Sequence, residues 1–283
     1  MIKFDQNHAN HVKEIARTTI NYSNYNIMMI EMNKKLSPEL SNKMNIIKEF
    51  GYNLNHGSII MDFGCGSGKM VKELNDFGYH AFGCGTRFDT EDDTDTEAMM
   101  KQGIIRTIDS KSYILPFKDS TFDFIFSHSV FEHVQNYSES ISEIARVLKP
   151  DGFCLHYFPS RYRPVECHTF VPLASIIQSH SWLLFWTILG IRNEFTYTLK
   201  ARETSVIFYN YLKEETNYLT KKELTKQFGM QFKNVIFCEN LSIKHSEKRG
   251  KYLYAVSKYI TIIHKIYSTF RSRIIFTSLP IKR

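Results

Sequence analysis

From Ser58 onward, short apolar runs alternate with stretches in which apolar residues recur every three or four positions. Ser58 to Phe63 (SIIMDF) reads as a buried strand, followed by a glycine-rich turn and a helix from Lys69 to Phe77. His80 to Cys84, Ile104 to Ile108 and Phe122 to Ser127 predict the second, third and fourth strands. Tyr137 to Leu148 predicts a helix with Ile141, Ile144, Ala145 and Leu148 on one face, stopped by Lys149-Pro150-Asp151-Gly152. Phe153 to Phe158 supplies a fifth strand. Such alternation implies parallel strands joined by right-handed crossovers, hence a doubly wound, mostly parallel α/β sheet.

The flanking segments follow other patterns. Residues 1–57 are polar, with amphipathic helical spacing around Ile15 to Ile20 and Met44 to Phe50, and predict an N-terminal helical cap. After Pro159 the alternation breaks, so 160–219 is an insertion; it contains the apolar run Trp182 to Ile191. The pattern resumes at Thr220-Lys221-Lys222-Glu223, a capping-box start for a helix ending at Gly229, with Phe232 to Cys238 as a later strand. The main domain is then 58–240, and 241–283 is expected to be a basic C-terminal extension.

Composition narrows the class. A chain of 283 residues, 43% of them hydrophobic, excludes wholesale disorder and fibrous architecture. Trp182 to Ile191 is half of the ~20 residues that a spanning helix needs, and MIKFDQNHANH lacks the apolar stretch of a secretory signal, so a cytoplasmic location is expected. Five cysteines with no C-x-x-C pair predict free thiols and no zinc or redox motif. Residues 1–191 carry 18 Lys+Arg against 22 Asp+Glu, whereas 192–283 carry 18 against 7. That basic last third, with Lys265, Arg271 and Arg273 among the apolar residues of Tyr259 to Phe276, is compatible with an interfacial helix and peripheral contact with an anionic membrane.

Asp62-Phe63-Gly64-Cys65-Gly66-Ser67-Gly68 sits where a strand meets a helix, the place at which open α/β sheets bind ligands. A dinucleotide fingerprint would need Gly at Lys69, and a phosphate loop Gly at Phe63 and Ser or Thr at Met70; both fail. What remains resembles motif I of the class I S-adenosylmethionine-dependent methyltransferases. Leu115 to Asp123 (LPFKDSTFD), Ser129 to Val134 (SVFEHV) and Arg146 to Gly152 (RVLKPDG) are similar to three further signatures of that family, in the same order. The stretch Pro159 to Leu173 resembles type 11-like members encoded with bacterial surface-polysaccharide enzymes.

The resemblance implies a seven-stranded Rossmann-like sheet and S-adenosyl-L-methionine as cofactor. It implies that Gly64, Cys65, Gly66 and Gly68 form the cofactor turn, that Asp62 holds this turn or the cofactor's amino group, and that Ser127 and His128 lie beside the methionine moiety. The ribose-binding acid is displaced: Gly85 stands in its place, with Asp89 or Glu91 as substitutes, and Asp109 is the displaced adenine-side acid.

For the acceptor, the stretch Pro159 to Leu173 places Arg161, Arg163, Glu166 and His168 close together in the chain. Arg and Glu grip phosphates and hydroxyls, and a positioned His removes a hydroxyl proton, which predicts His133 or His168 as base with Glu166 orienting it. Trp182 could stack on a sugar face. A sugar or glycan-type acceptor is the leading expectation, a membrane quinone or lipid the alternative, and a scaffold that has lost its chemistry the non-enzyme alternative. Ser127-His128-Ser129 in place of an N-P-P-Y motif, and the lack of an RNA-binding module, argue against nucleic acid as the acceptor.

Overall fold

The computed structural model describes residues 35–88, 94–109, 112–246, 254 and 261–281. The chain divides into Met1–Ser41 and Asn42–Arg283. In the first unit the described part is 35–41, where the Ser37 hydroxyl accepts the Leu40 N–H at 3.3 Å and opens helix α1, Pro38–Glu49. The helix expected around Ile15 to Ile20 lies outside the described residues.

The second unit is built on a seven-stranded sheet. Its strands are β1 (Ile59–Phe63), β2 (His80–Gly85), β3 (Ile105–Thr107), β4 (Phe122–His128), β5 (Leu148–Pro159), β6 (Phe232–Phe237) and β7 (Ser272–Pro280), in the order β3-β2-β1-β4-β5-β7-β6. Only β7 runs antiparallel, against both β5 and β6. Connecting helices are α2 (Lys69–Asp76), α3 (Thr94–Lys101), α4 (Tyr137–Val147), α5 (His180–Ile188), α6 (Ala201–Glu214), α7 (Lys221–Gly229), α8 (Glu239–His245) and α9 (Thr261–Phe270). Because β1 pairs in parallel with β2 on one side and β4 on the other, the chain order reverses at β1, and loops leaving β1 and β4 open on one edge.

The predicted period is the packed one. Ile141, Ile144 and Val147 of α4 are fully buried in one core cluster with Phe122 and Ile125 of β4, and Leu224 and Phe228 of α7 join them. Thr220 caps α7 as its sequence indicates, its hydroxyl accepting from Glu223 N–H while the Glu223 carboxylate accepts from Thr220 N–H. All five cysteines are free, and among the described residues no helix is long and apolar enough to cross a membrane.

Two segments differ from expectation. The stretch set apart as a C-terminal extension instead supplies β7, whose Ile274, Ile275 and Phe276 are buried between β5 and β6. Arg273, expected on the basic side of an interfacial helix, is instead buried and paired with Glu239 at 3.3 Å. From Ser272 onward, therefore, the proposed interfacial stretch is sheet. The insertion folds as the pair α5 and α6 around a core of its own, in which Val171, Leu183, Phe208 and Leu212 are buried.

Phe276 is 2% exposed and its ring stacks on that of Phe50 at 4.0 Å. Phe276→Ala should cost ~3–5 kcal/mol, read as a lowered urea midpoint at unchanged m-value.

Candidate active site

The turn after β1 is tied to β2 by its own backbone. Gly64 and Cys65 both donate N–H to the Cys84 carbonyl, at 2.7 and 3.1 Å, and Gly68 N–H closes the turn on the Cys65 carbonyl at 2.8 Å. Gly64 has φ +81°, and a Cβ there would lie 2.3 Å from Val130 Cγ2, so the turn needs glycine to approach the loop after β4. Gly66 has φ +51° and would meet nothing within 4 Å, because its open side faces a cavity of about 610 Å³. A Cβ on Gly68 would instead fall 2.2 Å from Ile105 Cδ1, which makes Gly68 a packing position.

Gly64, Gly66 and Gly85 line the cavity at one end, and His133, His168 and Tyr211 line another part of it. Several residues assigned to the cofactor from sequence do not reach it. Asp62 is buried in β1 and is not part of the cavity wall. Cys65 packs toward β2, where its Sγ would touch a Cβ on Gly83, and burial pushes its thiol pKa up. Asp109 is exposed just beyond Ile108, which does line the cavity. Asp89 and Glu91 lie outside the described residues.

Ser127 and His128 require correction. β4 runs through His128, and the chain turns into the cavity only at Ser129, with φ +54°, and Val130. Ser127 is fully buried and bonded to His156 Nδ1 at 2.9 Å, where burial pulls the His156 pKa down to about 3 and keeps the ring neutral. His128 lies on the Tyr157 ring with Nδ1 3.2 Å from Lys43 Nζ.

The acceptor-side residues separate into those that line the cavity and those that support it. His133 sits in a short 3-10 helix, Phe131–His133, and its Nδ1 is 2.8 Å from the Glu215 carbonyl. A carbonyl only accepts, so Nδ1 carries the proton and Nε2 is left free. Burial lowers the His133 pKa, with the Glu215 contact working the other way. His168 lies across from it, ring centroids 4.9 Å apart.

Glu166 itself is 1% exposed and does not touch the cavity. It accepts from His168 Nδ1 at 2.8 Å, Tyr218 hydroxyl at 2.7 Å, Thr169 N–H at 2.7 Å, Thr169 hydroxyl at 2.9 Å and His168 N–H at 3.0 Å. Burial alone would raise its pKa, but the donors from His168, Thr169 and Tyr218 outweigh that and hold it at about 2. For His168 burial opposes the charge, and the contacts with Cys167 and Glu166 prevail and hold the ring at about 10. Glu166 thus fixes the orientation of the His168 ring.

Arg161, Arg163 and Trp182 are not part of the cavity wall. Arg161 donates to the Tyr218 carbonyl at 2.9 Å, and Trp182 Nε1 donates to the Pro172 carbonyl at 2.7 Å within the α5 aromatic cluster. Both polar groups are engaged in holding the insertion together. Sequence reasoning missed Tyr211, Glu214 and Glu215, which reach the cavity from the end of α6, and Tyr113 and Arg87 from the loops after β3 and β2. Glu132, within the SVFEHV motif, is 1% exposed, and burial raises its pKa to about 7.

Residues 61–156 match the family described as a methyltransferase domain. Over that third of the chain the sequence is similar to methyltransferase domains. It is similar to the sterol 24-C-methyltransferase erg6 of Schizosaccharomyces pombe, 29% identical over 103 residues, covering 34% of this chain and 26% of that protein. A probable tRNA methyltransferase 9B of Homo sapiens is 32% identical over 117 residues, covering 39% of this chain and 23% of the relative. Among solved structures, a Haemonchus contortus phosphoethanolamine N-methyltransferase 2 with S-adenosylhomocysteine has a TM-score of 0.46 at 15% identity, covering 83% of this chain and 52% of that one. The chain thus spans about a quarter of the length of these curated relatives.

The glycines give a paired prediction. Gly66→Val, at ~1–2 kcal/mol of backbone strain, should leave the protein folded and weaken S-adenosylmethionine binding more than tenfold by calorimetry. Gly68→Ala should lower thermal stability instead. Unchanged affinity in Gly66→Val would remove the turn from the cofactor site.

Proposed function

We propose that the protein is an S-adenosylmethionine-dependent O-methyltransferase acting on a hydroxylated, sugar-type small molecule. The observation that carries this reading is a single cavity bounded by the Gly64–Gly66 turn at one place and by His133, His168 and Tyr211 at another. Gly66, whose open side faces the cavity, and Gly85, at the end of β2, hold the cofactor. The acceptor hydroxyl lies against the histidine wall.

When bound, the cofactor would supply the methyl group and keep the bonding electron pair as a thioether. The proton of the acceptor hydroxyl leaves toward His133 Nε2, while the charged His168 ring orients the acceptor oxygen. Alignment of the two reactants is the protein's main contribution. A polar acceptor suits the wall, where Arg87, Ser129, Gln135, Glu214 and Glu215 offer donors and acceptors to several hydroxyls.

A second reading, a lipid or quinone acceptor at a membrane surface, is favoured by apolar side chains left bare on the insertion. Phe195 is 80% exposed, Tyr197 75% and Ile188 67%. Co-sedimentation with liposomes that is lost in a Phe195→Ser, Ile188→Ser double variant would favour it over a soluble sugar.

Methyl-labelled cofactor should transfer label to a hydroxylated metabolite from fractionated cell extract, in a product stable to mild base as an ether is. His133→Ala should cut single-turnover rate by ~10²-fold or more while cofactor affinity holds. Label appearing only on amines or carbon, or a near-wild-type rate in His133→Ala, would overturn the reading.

A further inference from the structure

Glu132, His133 and His168 form a cluster of three potential metal ligands. Glu132 is buried, and neither of its carboxylate oxygens has a hydrogen-bond partner. Leaving a carboxylate unpartnered in the interior is costly, so this pair of oxygens calls for a ligand. A ligand atom from each of the three residues lies within 4.8 Å of the other two, with Glu132 Oε1 4.0 Å from His133 Nε2.

The supports of the two rings point the same way. A metal-binding histidine characteristically donates its other ring N–H to a carboxylate or a backbone carbonyl. His168 Nδ1 is held by the Glu166 carboxylate at 2.8 Å and His133 Nδ1 by the Glu215 carbonyl at 2.8 Å, so Nε2 is the ligand atom on each ring, His168 releasing its second proton as the cation binds. The overlapping trio Glu166, Cys167 and His168 is a poorer candidate, because Glu166 is already saturated by donors.

We propose that Glu132, His133 and His168 form a two-histidine, one-carboxylate site for a divalent transition-metal cation, whose remaining coordination positions open into the cavity. Metal–ligand distances of about 2.0–2.2 Å require the three residues to draw in by roughly 1 Å, a side-chain adjustment. Two imidazoles favour zinc, copper, iron or nickel over magnesium or calcium. The open positions would take an oxygen of the acceptor; with the cation bound His133 serves as a ligand and not as the base, and the coordinated hydroxyl gives up its proton to solvent more readily before it attacks the methyl group. This role rests on the O-methyltransferase reading; the cation site itself does not.

Titration of the full-length protein with zinc chloride, followed by calorimetry, and with cobalt chloride, followed by visible absorption, tests the site. We expect one cation per chain and a cobalt spectrum showing nitrogen ligation. His168→Ala and Glu132→Gln should each weaken binding tenfold or more, with S-adenosylhomocysteine affinity at the wild-type value as the check that the variants are folded. Should His168→Ala not fold, the near-isosteric Glu132→Gln decides. Absence of binding, or unchanged affinity in folded Glu132→Gln, overturns the proposal. Cation binding with no labelled O-methyl product found would leave the cation site standing and sink the O-methyltransferase reading alone.

Discussion

A carboxylate buried in the insertion organises the histidine wall of the cavity. Glu166 has given up its hydration, and the insertion is folded so that side-chain and backbone donors replace the lost water. One donor is the ring of His168, another the hydroxyl of Tyr218 beyond α6, so a single charge fixes both the start of the insertion and the chain's return from it. The positions of Tyr211, Glu214 and Glu215 along the cavity follow from that anchorage. On the cofactor side the equivalent constraint is steric: the approach of Gly64 to Val130 brings the loops after β1 and β4 into contact.

Much of the sheet was legible because its strands are buried apolar runs and its turns carry their own signals. β1 to β4, the apolar face of α4 and the Thr220 capping box are read from local sequence, and all are found within a residue or so of where the pattern puts them. β5 extends back to Leu148, because the Lys149–Gly152 turn that stops α4 is taken up in the strand with an irregular register against β4. β7 was illegible because its arginine finds a buried partner in Glu239, a tertiary fact that no local pattern encodes.

The site was legible where backbone conformation dictates residue type and obscure where side-chain direction matters. Gly64 and Gly66 lie on the cavity because the turn needs them there. Ser127 and His128 were misplaced because the end of β4 is set by where the chain turns, and Ser129 rather than Ser127 makes that turn. Arg161 and Trp182 look like ligand-gripping types, yet a long insertion has its own carbonyls to satisfy and uses them for that. The residues contributed by α6 carried no motif, since their placement depends on the fold of the insertion.

The antiparallel strand β7 also bears on how the chain is made. It lies between β5 and β6, so β6 has no hydrogen-bonded neighbour in the sheet until residues 272–280 exist. On a ribosome the first five strands can assemble as they emerge, but one edge, at β5, stays open while more than a hundred further residues are synthesised. An open apolar edge is a template for pairing with the wrong chain. The last strand therefore acts as a closing piece, and the interval before its arrival is when a nascent chain has most need of a chaperone.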